Sequence, residues 1–411
     1  MSSHIVGNHA LTKHMESNIL KTSQDAKNAR IQNPMVIDAT VGQLNKENGS
    51  LLRYLAVDRL LKELTDQEMY VYAPVNGSKN YSDGVIDWVF GKHKESILKS
   101  FHVNVIPTTG GSGALSNTIY NFNDFGQKVL IPNYYWTPYE NIAEEANLGV
   151  ETFRMYDDEY RFNLDEFERK AKELAARQGR LFFLMNDPCN NPTGLCLSTD
   201  QWRKMIAVLN EIAAKDIPVI LLHDIAYIDF QMKPEDQSRD IFAAYLDLDP
   251  RILAVVAFSG SKTFSMYGFR IGAQIGLSKS KQVMDDFKRV GDYSVRARFS
   301  SVSRPAMSVI GKIFASPELK AGFKAELADA RLILEKRIAL FQNCADREGL
   351  KYLPYGGGFF IGVETKNCRI FEDLVADGVY VIAMPGLIRI ALSSVNLDDI
   401  PRLVAAIKKN V

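Results

Sequence analysis

Lys262 sits in the run SGSKTFSMYGFRIG, with Ser259, Ser261 and Arg270 close to it in sequence. Two hydroxyls and a guanidinium are donors suited to a phosphate dianion. A lysine taken out of water and set beside another cation has its pKa lowered, and its free amine becomes a nucleophile. Three further segments carry groups of comparable chemistry. TTGGSGALS places Gly110, Gly111 and Gly113 before a helix-like run, where backbone N–H groups can face an anion. This turn has neither the dinucleotide fingerprint spacing nor a P-loop lysine. Asn191-Pro192-Thr193-Gly194 is a rigid turn able to hold an amide side chain at a fixed angle. Asp224 closes the apolar run PVILLHD, with Tyr227 shortly after it. An acid there needs a partner or caps a helix. His223 has no second His or Cys at metal spacing, so it is read as structural and no metal is expected.

The segments that position these groups are short apolar runs ending in turn residues. They are FHVNVIP, KVLIP, LFFLMN, PVILLHD, ILAVVAFS and GAQIGLS, ending at residues 107, 132, 186, 224, 259 and 278. Most are separated by helix-patterned stretches such as residues 199–214. Continuous apolar strands alternating with helices indicate a mostly parallel sheet covered on both faces. Ligands of such sheets bind outside the carboxyl ends of the strands, where four of these runs place their chemistry. Near the C-terminus, Phe323, Leu327, Ala330, Leu334, Ile338 and Phe341 recur at helical spacing and predict a long amphipathic helix. Glycines 356–358 and the strand-like FFIGVE and LIRIALS follow it, so a smaller α+β part is expected there, packed against the segment before Ser50.

A chain of 411 residues implies a large domain with a smaller one attached. Lys plus Arg and Asp plus Glu both total 49, which gives no electrostatic basis for a nucleic-acid or anionic-membrane partner. The first thirty residues contain no apolar signal-peptide core. Cys189, Cys196, Cys344 and Cys368 form no CxxC pair and are read as scattered reduced thiols of a cytoplasmic protein.

One cofactor uses the whole donor set. Pyridoxal phosphate (PLP) has a phosphate, an aldehyde that condenses with lysine, a pyridine nitrogen that wants an acid, and a phenolic oxygen that wants donors. With those residues in view, the sequence resembles fold-type I PLP enzymes, and among them the class I aminotransferases of the aspartate and aromatic kind. The resemblance runs over residues 36–393, from VIDATVGQLNKENG to LIRIALS, with the motifs in the family's order. Its most specific piece is S-x-S-K followed eight residues later by Arg, accompanied by NNPTG and D-x-A-Y. It implies an α/β fold in which residues 51–310 form a large PLP-binding domain with a mostly parallel seven-stranded sheet sandwiched by helices. Residues 1–50 with 311–411 would form the smaller α+β domain. The implied activity is ping-pong transfer of an amino group from an L-amino acid, of aspartate or aromatic type, to a 2-oxo acid. A cytoplasmic homodimer with shared active sites is implied as well.

Carried over residue by residue, Lys262 is similar to the Schiff-base lysine that also moves the substrate Cα proton. Asp224 resembles the acid that keeps the pyridine nitrogen protonated, and Asn191 and Tyr227 the partners of the phenolic oxygen. Gly111, Ser112, Ser259, Ser261 and Arg270 resemble the phosphate cradle. Tyr72, in YAPVNG, resembles a tyrosine that reaches a phosphate from the neighbouring subunit. Trp136 resembles the ring-stacking tryptophan, with Tyr134 as the alternative. Arg389, with Asn191, matches the clamp on the substrate α-carboxylate, and Gly42 the loop that closes over substrate. Register makes Arg296 the arginine for a distal carboxylate, with Arg298 and Arg304 as alternatives. One departure is plain: the family's Asn-His after the tryptophan is Pro138-Tyr139 here, so support of the pyridine-binding acid is altered or absent. Competing readings are a C–S lyase, decarboxylase or synthase on the same fold, which product analysis separates. A nucleotide-binding oxidoreductase would leave Lys262 without a role, and a DNA-binding regulator would need a further domain before Val36.

Overall fold

The computed structural model describes residues 5–11, 13 and 18–411. The remaining positions of the N-terminal arm assigned to the smaller domain lie outside the described residues. Strands are numbered along the chain: β1 Ile37–Asp38, β2 His102–Thr108, β3 Lys128–Pro132, β4 Gly149–Phe153, β5 Leu181–Asn186, β6 Val219–Asp224, β7 Ile252–Ser259, β8 Gly272–Ser278, β9 Phe360–Glu364, β10 Val379–Tyr380, β11 Ile382–Met384 and β12 Leu387–Ala391.

The six apolar runs are all strands of one seven-stranded sheet, ordered β2-β8-β7-β6-β5-β3-β4. β8 runs antiparallel to both β2 and β7. The pairings from β7 through β6, β5 and β3 to β4 are parallel. The seventh strand, β4, reads GVETF and is only half covered, so it lacks the apolar run that marks the others. β5 to β8 are buried along their whole length because helices lie on both faces. Alternation along β5 divides the core. Phe183 and Met185 pack with Phe167 and Leu174 of helix Leu164–Gln178 and with Trp202 of helix Thr199–Ala213. Phe182 and Leu184 pack with Leu115 of helix Gly110–Asn121 and Phe287 of helix Lys281–Phe299.

Register brings the chemistry-bearing strand ends together. Asn186 lies opposite Asp224, Asp224 opposite Ala257, and Ser259 opposite Gly272.

Beyond this sheet, β11, β12 and β9 form a three-stranded antiparallel sheet. The expected amphipathic helix runs Pro317–Glu348 and buries all six residues of its apolar stripe. Ser316 caps its start and left-handed Gly349 its end. β1 pairs in parallel with β10, Ile37 opposite Val379, which joins the N-terminal segment to the C-terminal part. Among the described residues, no helix is long and apolar enough to cross a membrane.

Candidate active site

The ends of β5, β6 and β7 and the start of helix Gly110–Asn121 enclose a cavity of about 170 Å3. Its lining includes Gly111, Ser112, Trp136, Asn191, Asp224, Tyr227, Ser259, Ser261, Lys262 and Arg270, ten residues singled out from sequence.

Lys262 follows β7 in the short helical turn Gly260–Thr263, which Ser259 caps by accepting from Ser261 N–H. Its Nζ lies 4.8 Å from the Tyr267 ring centroid and 5.7 Å from that of Tyr227. Burial, reinforced by the charge of Arg270, pulls the amine down to about 8. The turn is anchored from below: Thr263 donates to Asp229 at 2.6 Å, Trp88 Nε1 donates to the same oxygen at 3.1 Å, and Arg239 pairs with the other.

Arg270 has left-handed backbone geometry, and its Nη1 donates to Ser261 Oγ at 3.2 Å. A Cβ on Gly110, whose φ is +73°, would come within 2.7 Å of Arg270 Nη2. A glycine is therefore required where the guanidinium lies against the helix start. Ser259, Ser261 and Arg270 line the cavity together with Gly111 and Ser112 of that helix start, a set of groups suited to a phosphate.

Asp224 is buried, which raises its carboxyl above the usual range. Ala226 N–H donates to Oδ1 at 3.0 Å and Tyr139 O–H to Oδ2 at 2.7 Å. The position expected to leave Asp224 with altered or absent support thus provides a phenol donor. Tyr139 stands in helix Pro138–Glu145 and meets Trp136 edge to face, with centroids 5.5 Å apart. Between the two candidate stackers, Trp136 lines the cavity, while Tyr134 O–H turns away to Glu364 at 2.8 Å.

Asn191 is fixed by its N–H, which donates to Asn186 Oδ1 at 2.7 Å. Its Oδ1 accepts from Arg389 Nη1 at 3.4 Å. Arg389 is buried, stacks 4.4 Å from the Phe360 ring centroid and donates to the Thr40 carbonyl at 2.6 Å. Its Nε has no hydrogen-bond partner among the described residues, and burial lowers its pKa to about 10. A buried guanidinium with a free N–H suits a carboxylate. Gly42 packs on the same Phe360, where a Cβ would come within 2.4 Å of the ring.

Other expected residues lie elsewhere. Tyr72 is 84% exposed, and its carbonyl accepts from Arg304. Arg296 is exposed and donates to Ser300. Arg298 donates to Ser116 and covers the Tyr120 ring, beside a surface cleft of about 860 Å3 that contains none of the cradle residues. His223 is structural: it is buried between Tyr245 O–H and the Asp187 carbonyl, and burial lowers its pKa to about 3. No metal-ligand cluster occurs among the described residues. Sequence reasoning missed Tyr267 and Phe360, which are aromatic neighbours of Lys262 and Arg389. Neither carries a spacing signal that separates it from an ordinary core residue.

The donor set fits PLP part by part, with a phosphate cradle, an amine of lowered pKa and a buried acid held by two donors. Residues 34–407 match the family described as aminotransferase class I and II. An aspartate aminotransferase of Pseudomonas aeruginosa is 27% identical over 356 residues, covering 82% of this chain and 83% of that protein. A tyrosine aminotransferase of Klebsiella pneumoniae is 30% identical over 354 residues, covering 82% and 84%. An aminotransferase structure from Anaerococcus prevotii superposes with a TM-score of 0.94 at 31% identity, covering 99% of each chain. These names favour the aminotransferase reading over the oxidoreductase, lyase, decarboxylase and synthase readings. The chain belongs to the class I and II aminotransferases, and it is a PLP-dependent aminotransferase.

Proposed function

We propose that the enzyme takes the amino group from an L-amino acid of aspartate or aromatic type, that Lys262 carries the cofactor, and that a second copy of the chain completes each active site. The observation that carries this reading is the Lys262 amine. It is buried in the cavity with a lowered pKa, and Arg270 and Asp224 are its main charged neighbours.

When bound, PLP supplies a conjugated ring that takes up the electron pair released at the substrate Cα. Lys262 would carry the cofactor, and its amine would be the base that moves the substrate Cα proton. Gly111, Ser112, Ser259, Ser261 and Arg270 would hold the phosphate, and Trp136 would fix the plane of the ring. Asp224, supported by Tyr139, would serve the ring nitrogen as its acid partner. Asn191 and Tyr227 would take the phenolic oxygen. Arg389 grips the α-carboxylate, with Gly42 leaving room for Phe360 beneath that guanidinium.

The relatives named for aspartate and tyrosine support the substrate class. Arg296 from the second copy would take a distal carboxylate, and Tyr72 would reach across to a phosphate. Both are exposed and outside the cavity of their own chain. The division into residues 51–310 and residues 1–50 with 311–411 is supported by the seven-stranded sheet lying within the first and by β1 pairing with β10. Free thiols at all four cysteines support a cytoplasmic setting.

The test is the absorbance spectrum of the purified enzyme as single amino acids are added. Aspartate, glutamate or an aromatic amino acid is expected to convert the Schiff-base band to the pyridoxamine form, with release of the matching 2-oxo acid. Lys262→Ala is expected to lose both the band and turnover. Turnover persisting in that variant would overturn the role of Lys262. Conversion only by amino acids of other classes would overturn the substrate assignment.

A further inference from the structure

We propose that Cys189 and Cys196 are an oxidation site, a thiol pair that a hydroperoxide converts to an intrachain disulfide that displaces the loop carrying Asn191. Sequence gives no reason to pair these cysteines, yet their Sγ atoms lie 3.6 Å apart, and Cys189 N–H donates to Cys196 Sγ at 3.2 Å. The other two thiols differ in setting. Cys344 is buried in helix Pro317–Glu348, and Cys368 is exposed.

The pair closes the neck of a tight loop. Asn190 N–H donates to the Leu195 carbonyl at 2.9 Å and Gly194 N–H to the Asn190 carbonyl at 2.7 Å, so the two cysteines face each other across its base. Between them stands Asn191, hydrogen-bonded to Asn186 on one side and Arg389 on the other. The glycine run packs directly on the sulfurs. A Cβ on Gly356 would come within 2.7 Å of Cys196 Cβ, on Gly357 within 2.8 Å of Cys189 Sγ, and on Gly358 within 2.6 Å of Cys189 Cβ. Gly356 N–H also donates to the Gly194 carbonyl at 2.8 Å. The run therefore serves a purpose that the transamination chemistry leaves open. It lets the segment leading to Phe359 and Phe360 close over the thiols, leaving little room for them to spread apart.

The order of steps follows from access. Cys196 is partly exposed and Cys189 is buried. The Cys196 sulfur attacks the peroxide, the O–O bond breaks, and water or an alcohol leaves with the thiol proton, giving a sulfenic acid. The Cys189 sulfur then attacks the Cys196 sulfur. The S–S bond forms, and the hydroxyl departs as water with the Cys189 proton. Each sulfur gives up one electron, and the peroxide takes up both. Burial holds the Cys189 thiol well above its ordinary pKa, which keeps it protonated and leaves the first attack to Cys196; the 3.6 Å contact between the sulfurs is what brings Cys189 into the second step. A disulfide is about 2.05 Å long, so closing a 3.6 Å contact moves the loop's ends together and shifts Asn191 against Arg389. The effect on turnover rests on the aminotransferase reading, whereas the thiol chemistry does not.

The experiment uses the holoenzyme carrying Cys368→Ser, which removes the exposed thiol. The enzyme is treated with hydrogen peroxide, its free thiols are counted in denaturant, and its peptides are mapped without reduction. The expected result is loss of the Cys189 and Cys196 thiols, a cross-link between them, and a severalfold fall in turnover that dithiothreitol reverses. Adding Cys196→Ala is expected to abolish the cross-link and preserve turnover through the same treatment. Failure of the cross-link to form, or its formation with unchanged turnover, would overturn the proposal. So would an equal loss of turnover with Cys196→Ala present. A treated chain that cross-links but never shows aminotransferase activity, even untreated, would instead sink the reading of the active site.

Discussion

At the residue scale, Tyr139 departs from the family's pattern yet still gives Asp224 a hydrogen-bond donor, of different chemistry. A histidine supporting Asp224 could itself titrate near neutral pH. Tyr139 does not, because burial raises its phenol well above the ordinary value, so it remains a donor throughout. Asp224 is raised by burial, and the Tyr139 hydrogen bond counters that rise. Tyr139→Phe keeps the ring and removes one hydrogen bond to a charged group, worth about 1.5–3 kcal/mol. The Asp224 pKa then rises. Its charge exists above that pKa and is lost as pH falls through it, so the acid limb of the kcat/KM profile is expected to move to higher pH. A loss of about tenfold to a hundredfold at neutral pH is expected, matching about 1.4–2.8 kcal/mol. Overlapping pH profiles for the variant and the parent would mean that Asp224 does not depend on the phenol. Lys262, Ser261 and Arg270 were legible in sequence because they follow one strand closely. The Tyr139 support was not, because it depends on a 2.7 Å contact between elements far apart in the chain.

At the element scale, the cradle depends on how closely β8 passes it. Gly272 pairs with both Thr108 and Ser259. A Cβ there would lie 2.5 Å from the Phe258 carbonyl oxygen and 2.6 Å from the Gly110 carbonyl carbon. Both obstacles are backbone, so neither can rotate aside. Gly272→Ala is expected to cost about 1–3 kcal/mol of stability and to weaken PLP binding, measured by thermal melting and cofactor titration. Gly322→Ala, at an exposed position of helix Pro317–Glu348 with open space around its Cβ, is the contrast: it should leave PLP binding unchanged and raise the melting point slightly. Unchanged PLP affinity in Gly272→Ala would show that the cradle does not need this close approach. The strands that mattered most were readable because full burial makes them apolar without interruption. β4 escaped because Glu151 and Thr152 break its run, and the reversed direction of β8 leaves no mark in composition.

At the scale of the whole molecule, Tyr72 and Arg296 were named from sequence as site residues, yet each stands outside the cavity of its own chain. An exposed tyrosine beside other exposed apolar side chains, Tyr70 and Val71, has the character of an interface segment. If their partners belong to another copy, no pattern within one chain can reveal where such residues act. Mixing two impaired variants decides it. Tyr72→Ala keeps Lys262 but lacks the reaching tyrosine; Lys262→Ala keeps Tyr72 but lacks the amine. If Tyr72 serves the neighbouring site, half of randomly assembled dimers are mixed, and each mixed dimer has one intact site. On the order of a quarter of all sites would then work, from chains that are each defective. The co-folded mixture should therefore exceed the residual activity of Tyr72→Ala alone. If Tyr72 instead acts within its own chain, no combination yields an intact site and activity stays at or below that residual level. The same mixing with Arg296→Ala, assayed with aspartate and then with an aromatic donor, separates a role in the shared site from one in dicarboxylate selectivity: restoration confined to aspartate assigns Arg296 to the distal carboxylate.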